Sequence, residues 1–152
     1  MQTITSSKAS VIPSREGKKM NIVGHDAIIK LGSEQANGNY VFEVVSPAGM
    51  GIPPHIHKQE DEVIYVLSGE FDIFLDGKMT RAQAGDWLNF TRGTAHGFTN
   101  VGQLPGKTLW FVSPGKNFET FFDKLGALPA GEPDMEILAK LFAEHGLPLL
   151  PM

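Results

Sequence analysis

The stretch "GMGIPPHIHKQEDEVIYVLSG" (residues 49–69) places two histidines and three consecutive acidic residues directly before a strongly β-forming run. In a β-strand, residues two apart point to the same face, so His55 and His57 can direct both imidazoles toward one point. Pro53 and Pro54 stiffen the approach to this pair. The stretch therefore predicts a chelating pair of histidines held at the edge of a rigid strand.

A carboxylate ligand is available close by, with two candidates. Glu62 lies an odd number of residues beyond His57, so it rejoins the same face only if "KQED" bends, which its charged residues permit. Glu60 has the same parity and is the rival ligand. We favour Glu62 because it adjoins "VIYVL", a strand rigid enough to hold a carboxylate still. We interpret Glu60 and Asp61 as solvated charges at the rim, with the alternative that Glu60 orients a histidine ligand.

A third imidazole comes from His96 in "RGTAHGFTN" (residues 92–100), where Gly93 predicts a turn. Three histidines and one glutamate suit one divalent ion of Fe, Mn, Ni, Cu, Co or Zn and leave coordination positions free. The other two histidines are interpreted as bystanders. His25 is expected in an exposed loop, and His145 at a helix end, where an imidazolium favours the negative pole of the helix dipole.

The rest of the chain predicts an all-β domain followed by helices. Short β-branched or aromatic runs recur between residues 26 and 112, separated by turn residues, and Asp76-Gly77 is a hairpin signal. After Pro114 the apolar spacing becomes helical, which predicts one helix ending at Gly126 and a second from Pro133 to Gly146. We expect a flexible N-terminal arm (residues 1–20), a barrel (21–114) and a C-terminal helical annex packing on the barrel (115–152).

Composition limits the function classes. The chain has 152 residues, a formal net charge of −4 and no cysteine, and its lysines and arginines are not clustered. This argues against nucleic acid as a partner and excludes a thiolate nucleophile or a disulfide framework. Neither an eighteen-residue apolar run nor the apolar region of a signal peptide is present, so we expect no membrane association and a cytoplasmic location.

These motifs resemble those of the cupin superfamily, which are double-stranded β-helix barrels of jelly-roll type. The first motif of that family is matched at Gly49, His55, His57, Glu62 and Gly69, and the second at Gly85, Gly93, His96 and Asn100. Thr91 stands where the family prefers proline. The resemblance implies that the metal ligands are His55, His57, Glu62 and His96. The layout, with its helical tail, is similar to single-domain quercetin dioxygenase-like cupins.

The resemblance implies a metal-dependent dioxygenase acting on a small enol, phenol or flavonol-like substrate, with Glu62 accepting the hydroxyl proton. We expect Met50, Phe98 and Trp110 to contact the substrate. Arg81 and Arg92 are expected to be solvated, which favours an apolar substrate. An isomerase or decarboxylase using the same ligands, or a metallo-cupin that only binds a small ligand, is the alternative.

The strand "EVIYVL" also predicts self-association. Val63, Tyr65 and Leu67 alternate with Ile64 and Val66, so both faces of this strand are apolar. A single barrel can bury only one of these faces in its interior. The other needs the helical annex or a second subunit, and we expect a homodimer.

Overall fold

The computed structural model describes residues 8–151 of the chain, and these residues form ten strands and two helices. The strands are β1 (Lys18–Ile22), β2 (His25–Ala36), β3 (Asn39–Ser46), β4 (Gly51–His55), β5 (Asp61–Ser68), β6 (Glu70–Leu75), β7 (Lys78–Gln83), β8 (Trp87–Phe90), β9 (His96–Asn100) and β10 (Gly106–Ser113). The helices are α1 (Lys116–Gly126) and α2 (Met135–Glu144).

The strands form two antiparallel sheets. A six-stranded sheet has the order β1-β2-β3-β10-β5-β8, and a four-stranded sheet has the order β4-β9-β6-β7. Apart from the β6–β7 hairpin, successive strands after β3 alternate between the sheets, so the chain winds around a common interior. The prediction of an all-β, double-stranded β-helix with a C-terminal helical stretch is confirmed.

Side-chain alternation decides which residues form that interior. In β5, Glu62, Ile64 and Val66 are buried, whereas the intervening side chains point to the outer face of the sheet. In β3, Tyr40, Phe42 and Val44 alternate inward in the same way. Such burial of every second residue is the pattern expected of a sheet with one face on the core.

The predicted hairpin and helices are present with small shifts in their ends. β6 and β7 pair antiparallel through Asp76-Gly77, where both residues have positive φ, as a tight hairpin turn requires. The first helix ends at Gly126, as expected. The second begins at Met135, because the Asp134 side chain caps it by accepting from the backbone N–H groups of the first turn.

The two helices are placed where they fill the open end of the barrel. Four side chains of α1 are buried and form one apolar stripe: Phe118, Phe121, Phe122 and Leu125. The Phe118 ring stacks on Phe42 of β3, with centroids 6.0 Å apart. The interior of the barrel and the stripe of α1 therefore form one continuous aromatic core.

Residues 146–150 follow α2 and return to β4. Leu149 bridges antiparallel to His55, and the Leu150 N–H donates to the carbonyl oxygen of Pro54 over 2.9 Å. Leu147 in the same segment is fully buried. This segment, the C-terminal tail, thus lies along the strand that carries the first predicted ligand.

The N-terminal stretch differs in part from expectation. β1 begins at Lys18, inside the predicted arm, and pairs with β2 through a turn at Val23-Gly24. Residues 1–7 of that arm lie outside the described residues. None of the helices in residues 8–151 has the length and apolar character needed to span a membrane.

Candidate metal centre

The histidine pair lies at the point where β4 ends. His55 is the last residue of β4, and residues 56–60 leave the sheet before β5 begins at Asp61. The predicted bend in "KQED" is therefore present. Residues an odd number of positions apart, such as His57 and Glu62, would point to opposite faces of a straight strand. Because the chain turns here, Glu62 reaches the same point as His57.

Neighbouring backbone holds this bend in place. The N–H groups of Ile56 and Lys58 donate to the carbonyl oxygens of Pro148 and Gly146 in the C-terminal tail, over 3.2 and 3.0 Å. On the other side, the Gly93 N–H donates to the carbonyl oxygen of His57 over 2.8 Å. The two sequence motifs are thus joined directly by a backbone hydrogen bond.

Four side chains converge in the interior, and all four are buried. The Nε2 atoms of His55 and His57 are 3.0 Å apart. The Oε1 atom of Glu62 lies 3.1 Å from His57 Nε2, and its Oε2 atom lies 3.1 Å from His96 Nε2. Candidate ligand atoms of His55, His57 and His96 all lie within 4.8 Å of one another. The three predicted histidines and the preferred glutamate are brought together.

The orientation of the rings fits a bound cation. His55 Nδ1 faces the carbonyl oxygen of Pro53 at 2.9 Å, and His96 Nδ1 faces that of Thr94 at 3.0 Å. A carbonyl oxygen only accepts, so both Nδ1 atoms carry the proton and both Nε2 lone pairs point to the centre. The Oε1 atom of Glu62 is buried without a hydrogen-bond donor. Three imidazole nitrogens and a carboxylate directed at one point could hold a divalent metal ion.

The electrostatics of the four groups are strongly coupled. Burial, reinforced by the neighbouring imidazoles of His96 and His57, lowers the pKa of His55 to about 3. Burial also acts to lower the pKa of His57, but the Glu62 carboxylate and the contacts with Glu60 outweigh it and raise that pKa to about 9. Burial acts to raise the pKa of Glu62, yet His57 and His96 hold it well below its usual range. The close contact of His57 with Glu62 thus shifts the pKa values of both groups.

Aromatic rings enclose the ligand side chains. Phe90 stacks on His96 with centroids 4.2 Å apart, and Phe118 of α1 stacks on His57 at 5.5 Å. Phe142 of α2 meets His55 edge-on at 5.8 Å. Residues from both helices therefore help to fix the ligand rings, which the sequence interpretation did not anticipate.

A cavity adjoins the ligand cluster, with a volume of about 40 Å³. His55 and Glu62 form part of its wall, and the remaining wall is apolar apart from His25. Phe98 and Trp110, two of the predicted substrate contacts, line it. Met50 is outside this lining and is partly exposed. Within residues 8–151, no lysine or arginine lines this cavity.

Glu60 departs from its main interpretation as a solvated rim charge. Its side chain is only 1% exposed, and its Oε2 atom lies 3.4 Å from His57 Nδ1. The alternative that Glu60 orients a histidine is the one this geometry supports. The neighbouring Asp61 is at the rim as expected, where it pairs with Arg92 over 2.9 Å. Arg81 is likewise exposed and pairs with Asp72.

His25 was wrongly expected in an exposed loop. It begins β2, is 2% exposed, and its Nδ1 and Nε2 atoms contact Ser46 Oγ at 2.8 Å and the Gly51 carbonyl oxygen at 3.3 Å. Burial lowers its pKa. His145 is the C-cap of α2, as predicted, but it is buried, and burial lowers its pKa.

Comparison with known proteins identifies a matching family model and several similar proteins. A family model described as a cupin domain matches residues 41–112. Quercetin 2,3-dioxygenase of Bacillus subtilis is 31% identical over 119 residues, which is 76% of this chain and 34% of that protein. The tetracenomycin polyketide synthase protein TcmJ of Streptomyces glaucescens is 25% identical over 107 residues, 70% of this chain and 68% of that protein.

Solved structures share the fold. A protein from Thermotoga maritima described as a predicted oxalate decarboxylase superposes with a TM-score of 0.62 at 25% identity, covering 68% of this chain and 98% of that one. The chain spans about a third of the length of the Bacillus relative. The names of these relatives refer to different reactions.

Proposed function

This chain belongs to the cupin superfamily, and from that membership we propose that it is a metal-dependent dioxygenase acting on a small enol, phenol or flavonol-like molecule. One observation carries the proposal. Three imidazole nitrogens and the Glu62 carboxylate converge at one point, and His55 and Glu62 of this cluster form part of the wall of a cavity whose other lining residues are apolar apart from His25. This arrangement suits a substrate with one acidic oxygen and an apolar body.

His55, His57, Glu62 and His96 would hold the metal ion. When bound, a divalent metal supplies an electrophilic centre that orients and polarises an oxygen atom of the substrate. The ligand set suits Fe, Mn, Ni, Cu, Co and Zn alike, because imidazole and carboxylate accept all of them. We propose one ion per chain.

Glu62 is proposed to accept the hydroxyl proton of the substrate. Its carboxylate is ionised near neutral pH because the neighbouring histidines hold its pKa below the usual range. It also lies at the boundary between the ligand cluster and the cavity. A carboxylate in that position can take a proton from a hydroxyl group that approaches from the apolar side.

The aromatic lining supports the substrate class. Phe98 and Trp110 present apolar surface to the cavity, whereas Arg81 and Arg92 are exposed on the outside. A cavity of about 40 Å³ has room for roughly three water molecules, so an organic substrate must displace side chains. We propose that the side chains of α1 move aside on binding, and that Met50 contacts the part of the substrate that remains outside.

Decarboxylase and isomerase chemistry is the second candidate, since the Thermotoga relative is described as a predicted oxalate decarboxylase. A dicarboxylate in this cavity would lack a cationic partner other than the metal, because the lining described above includes no lysine or arginine. Burying the second carboxylate unpaired would cost several kcal/mol, on the order of the desolvation of one ion. The apolar lining thus favours the dioxygenase.

The test is oxygen consumption by protein reconstituted with each metal in turn. Oxygen-electrode traces with flavonols, simple phenols and enols are expected to show uptake for at least one metal and substrate pair. Product release without oxygen uptake would move the assignment to the isomerase or decarboxylase class. Binding without turnover across the whole panel would leave a ligand-binding metallo-cupin.

We also propose a homodimer formed through the outer face of the six-stranded sheet. Leu67, Phe111 and Trp87 are 47%, 40% and 65% exposed, and Val63 and Tyr65 lie beside them. The helices pack against residues of the barrel interior at its open end, so they do not cover the outer face of the six-stranded sheet. Light scattering is expected to give twice the chain mass of 16.6 kDa. The double variant Leu67→Lys, Trp87→Lys should give the single mass, and a wild-type monomer would contradict the proposal.

A further inference from the structure

A buried carboxylate outside the four proposed ligands lies beside them. Glu60 is 1% exposed, and its Oε1 atom accepts a hydrogen bond from Asn117 Nδ2 over 2.7 Å. Its Oε2 atom faces His57 Nδ1 at 3.4 Å, and neither of these two atoms has a hydrogen bond from another described group. These two atoms, Glu60 Oε2 and His57 Nδ1, thus face each other in the buried interior.

The orientation of the Asn117 amide is determined by its partners. Its Nδ2 atom donates to Glu60 Oε1 and also to the backbone carbonyl oxygen of His145, over 2.8 Å. Both of these oxygens accept hydrogen bonds, so only the NH₂ end of the amide can serve them. Its Oδ1 atom lies 3.2 Å from His145 Nδ1, which can donate to it. Asn117 therefore joins the end of α2 to the Glu60 carboxylate.

Close packing at the start of α1 brings Asn117 to this position. Gly115 precedes the helix, and a Cβ atom there would lie 2.6 Å from the Cβ atom and 2.7 Å from the backbone nitrogen of Tyr40. Only glycine allows so close an approach of the helix start to β3. Phe118, the next residue after Asn117, stacks on the His57 ring. Two consecutive residues of α1 thus act on the same proposed ligand, one through Glu60 and one directly.

We propose that Asn117 is a positioning residue for the metal centre. By fixing one oxygen of Glu60, it directs the other at His57 Nδ1, which then donates its proton to Glu60 and keeps the Nε2 lone pair for the metal. The other two histidines are held in the same tautomer by backbone carbonyl oxygens, so His57 alone depends on a side chain for this function. The inference rests on the proposed metal site and adds a residue of the annex to it.

If Asn117 and Glu60 served only to attach the helical annex to the barrel, a buried carboxylate would not be needed. Two neutral side chains could form such an attachment, whereas a buried carboxylate costs several kcal/mol of desolvation, as an order of magnitude, unless it meets a strong donor. Carboxylates that accept from a metal-bound histidine commonly supply this function, and losing one typically costs about 10–100-fold in metal affinity.

The test uses the full chain stripped of metal and titrated with Zn²⁺ or Co²⁺ by calorimetry. Asn117→Ala is expected to weaken binding by about 10–100-fold. The control is Thr120→Ala, one turn further along α1, whose hydroxyl donates to the carbonyl oxygen of Lys116. This control should bind the metal as the wild type does.

A second readout separates positioning from general stability. In the Zn²⁺-loaded wild type, ¹⁵N NMR of labelled histidine should show the Nδ1–H tautomer at all three ligand rings, and Asn117→Ala should lose it at His57 alone. An unchanged dissociation constant and tautomer in Asn117→Ala would overturn the inference. If that variant does not fold, Glu60→Gln serves: its amide oxygen can still accept from Asn117, but its NH₂ group then faces His57 Nδ1 in place of an acceptor, which should weaken binding similarly. A wild type that binds neither ion would instead overturn the proposed function.

Discussion

The barrel interior contains two regions of opposite character that share a wall. The ligand cluster consists of His55, His57, Glu62 and His96, with charge concentrated in a small volume. The aromatic region beside it is built from strand residues and from α1, and its members are Phe42, Phe98, Trp110, Phe118 and Phe122. The first is held mainly by hydrogen bonds and the second by ring packing.

The difference shows how one small barrel keeps its charge localised. Each ligand ring has an aromatic neighbour, and the Nδ1 atoms of His55 and His96 contact backbone carbonyl oxygens. A dry apolar wall strengthens the interaction between Glu62 and the histidines, because the local dielectric constant is low. The predictions below test whether the two regions are separable, beginning with the largest expected effect.

Replacing a ligand histidine should abolish metal binding while leaving the aromatic region intact. His96→Ala is expected to lose most of its bound metal, because a site with three imidazoles depends on each neutral ring. Elemental analysis measures the occupancy. The matched control is His25→Gln, which alters a buried histidine of the cavity wall and should retain the metal. Equal metal loss in both variants would mean that the two regions are not separable.

Glu62→Gln should affect turnover more than metal retention. The amide keeps the shape of the side chain but cannot take up a proton at neutral pH, so the proposed general base is removed. The expected loss is about 10²–10⁴-fold in the rate of oxygen consumption, with part of the metal retained. Glu70→Gln, at an exposed carboxylate, is the control. A rate within a factor of two of the wild type would exclude Glu62 as the base.

Phe122→Ala tests the aromatic region by itself. This ring packs on Phe42 and Phe118 at 4.8 and 4.6 Å and has no ring contact with the proposed ligand histidines. Its removal is expected to lower the free energy of unfolding by about 3–5 kcal/mol. Urea unfolding measures that loss, and calorimetry should find the metal affinity nearly unchanged. A large drop in affinity would show that the aromatic packing also sets the ligand geometry.

The metal-free protein should be most stable near pH 6.5. The raised pKa of His57, about 9, contributes stability below pH 6.5 that is lost as the pH rises through 9. The lowered pKa of His55, about 3, removes stability as the pH falls below 6.5, because the unfolded chain then takes up a proton that the folded chain refuses. Each of these two losses in the free energy of unfolding is on the order of 3 kcal/mol.

Urea unfolding of the metal-free protein at pH 4.5, 6.5 and 9 measures both losses. His57→Gln should lack the alkaline loss, and Phe122→Leu should keep it, since only the first alters the ligand cluster. A bound metal should also suppress the alkaline loss, because it takes the place of the proton on His57. An alkaline loss that persists in His57→Gln would place its origin outside the cluster.

Much of the fold and the convergence of the ligand residues could be predicted from sequence, because both depend on local patterns. Alternation in "EVIYVLS", the Asp76-Gly77 turn and the helical spacing after Pro114 each act over a few residues. The bend that brings Glu62 to His57 could be foreseen from the lack of β-branching in "KQED". These signals need no knowledge of distant contacts.

Three features could not be predicted, because distant residues determine them. Glu60 is buried by Asn117, which lies on a helix far along the chain, so no local pattern marks it as interior. His25 is buried by its contacts with Ser46 and Gly51. β1 was not predicted because "KKMNI" is largely polar. The turn that connects it to β2, Val23-Gly24, also lacks the usual Asn or Asp.

The position of the C-terminal tail bears on when the centre is completed during synthesis. All four proposed ligands have been synthesised once His96 is added. The carbonyl oxygens that accept hydrogen bonds from the N–H groups of Ile56 and Lys58, however, lie in residues 146–148. Until those residues leave the ribosome, the strand that carries His55 has an unpaired edge and the ring of Phe142 is missing from its side. Residues 146–148, which are synthesised after all four proposed ligands, therefore close the metal centre, and a nascent chain that stalls short of them leaves it open.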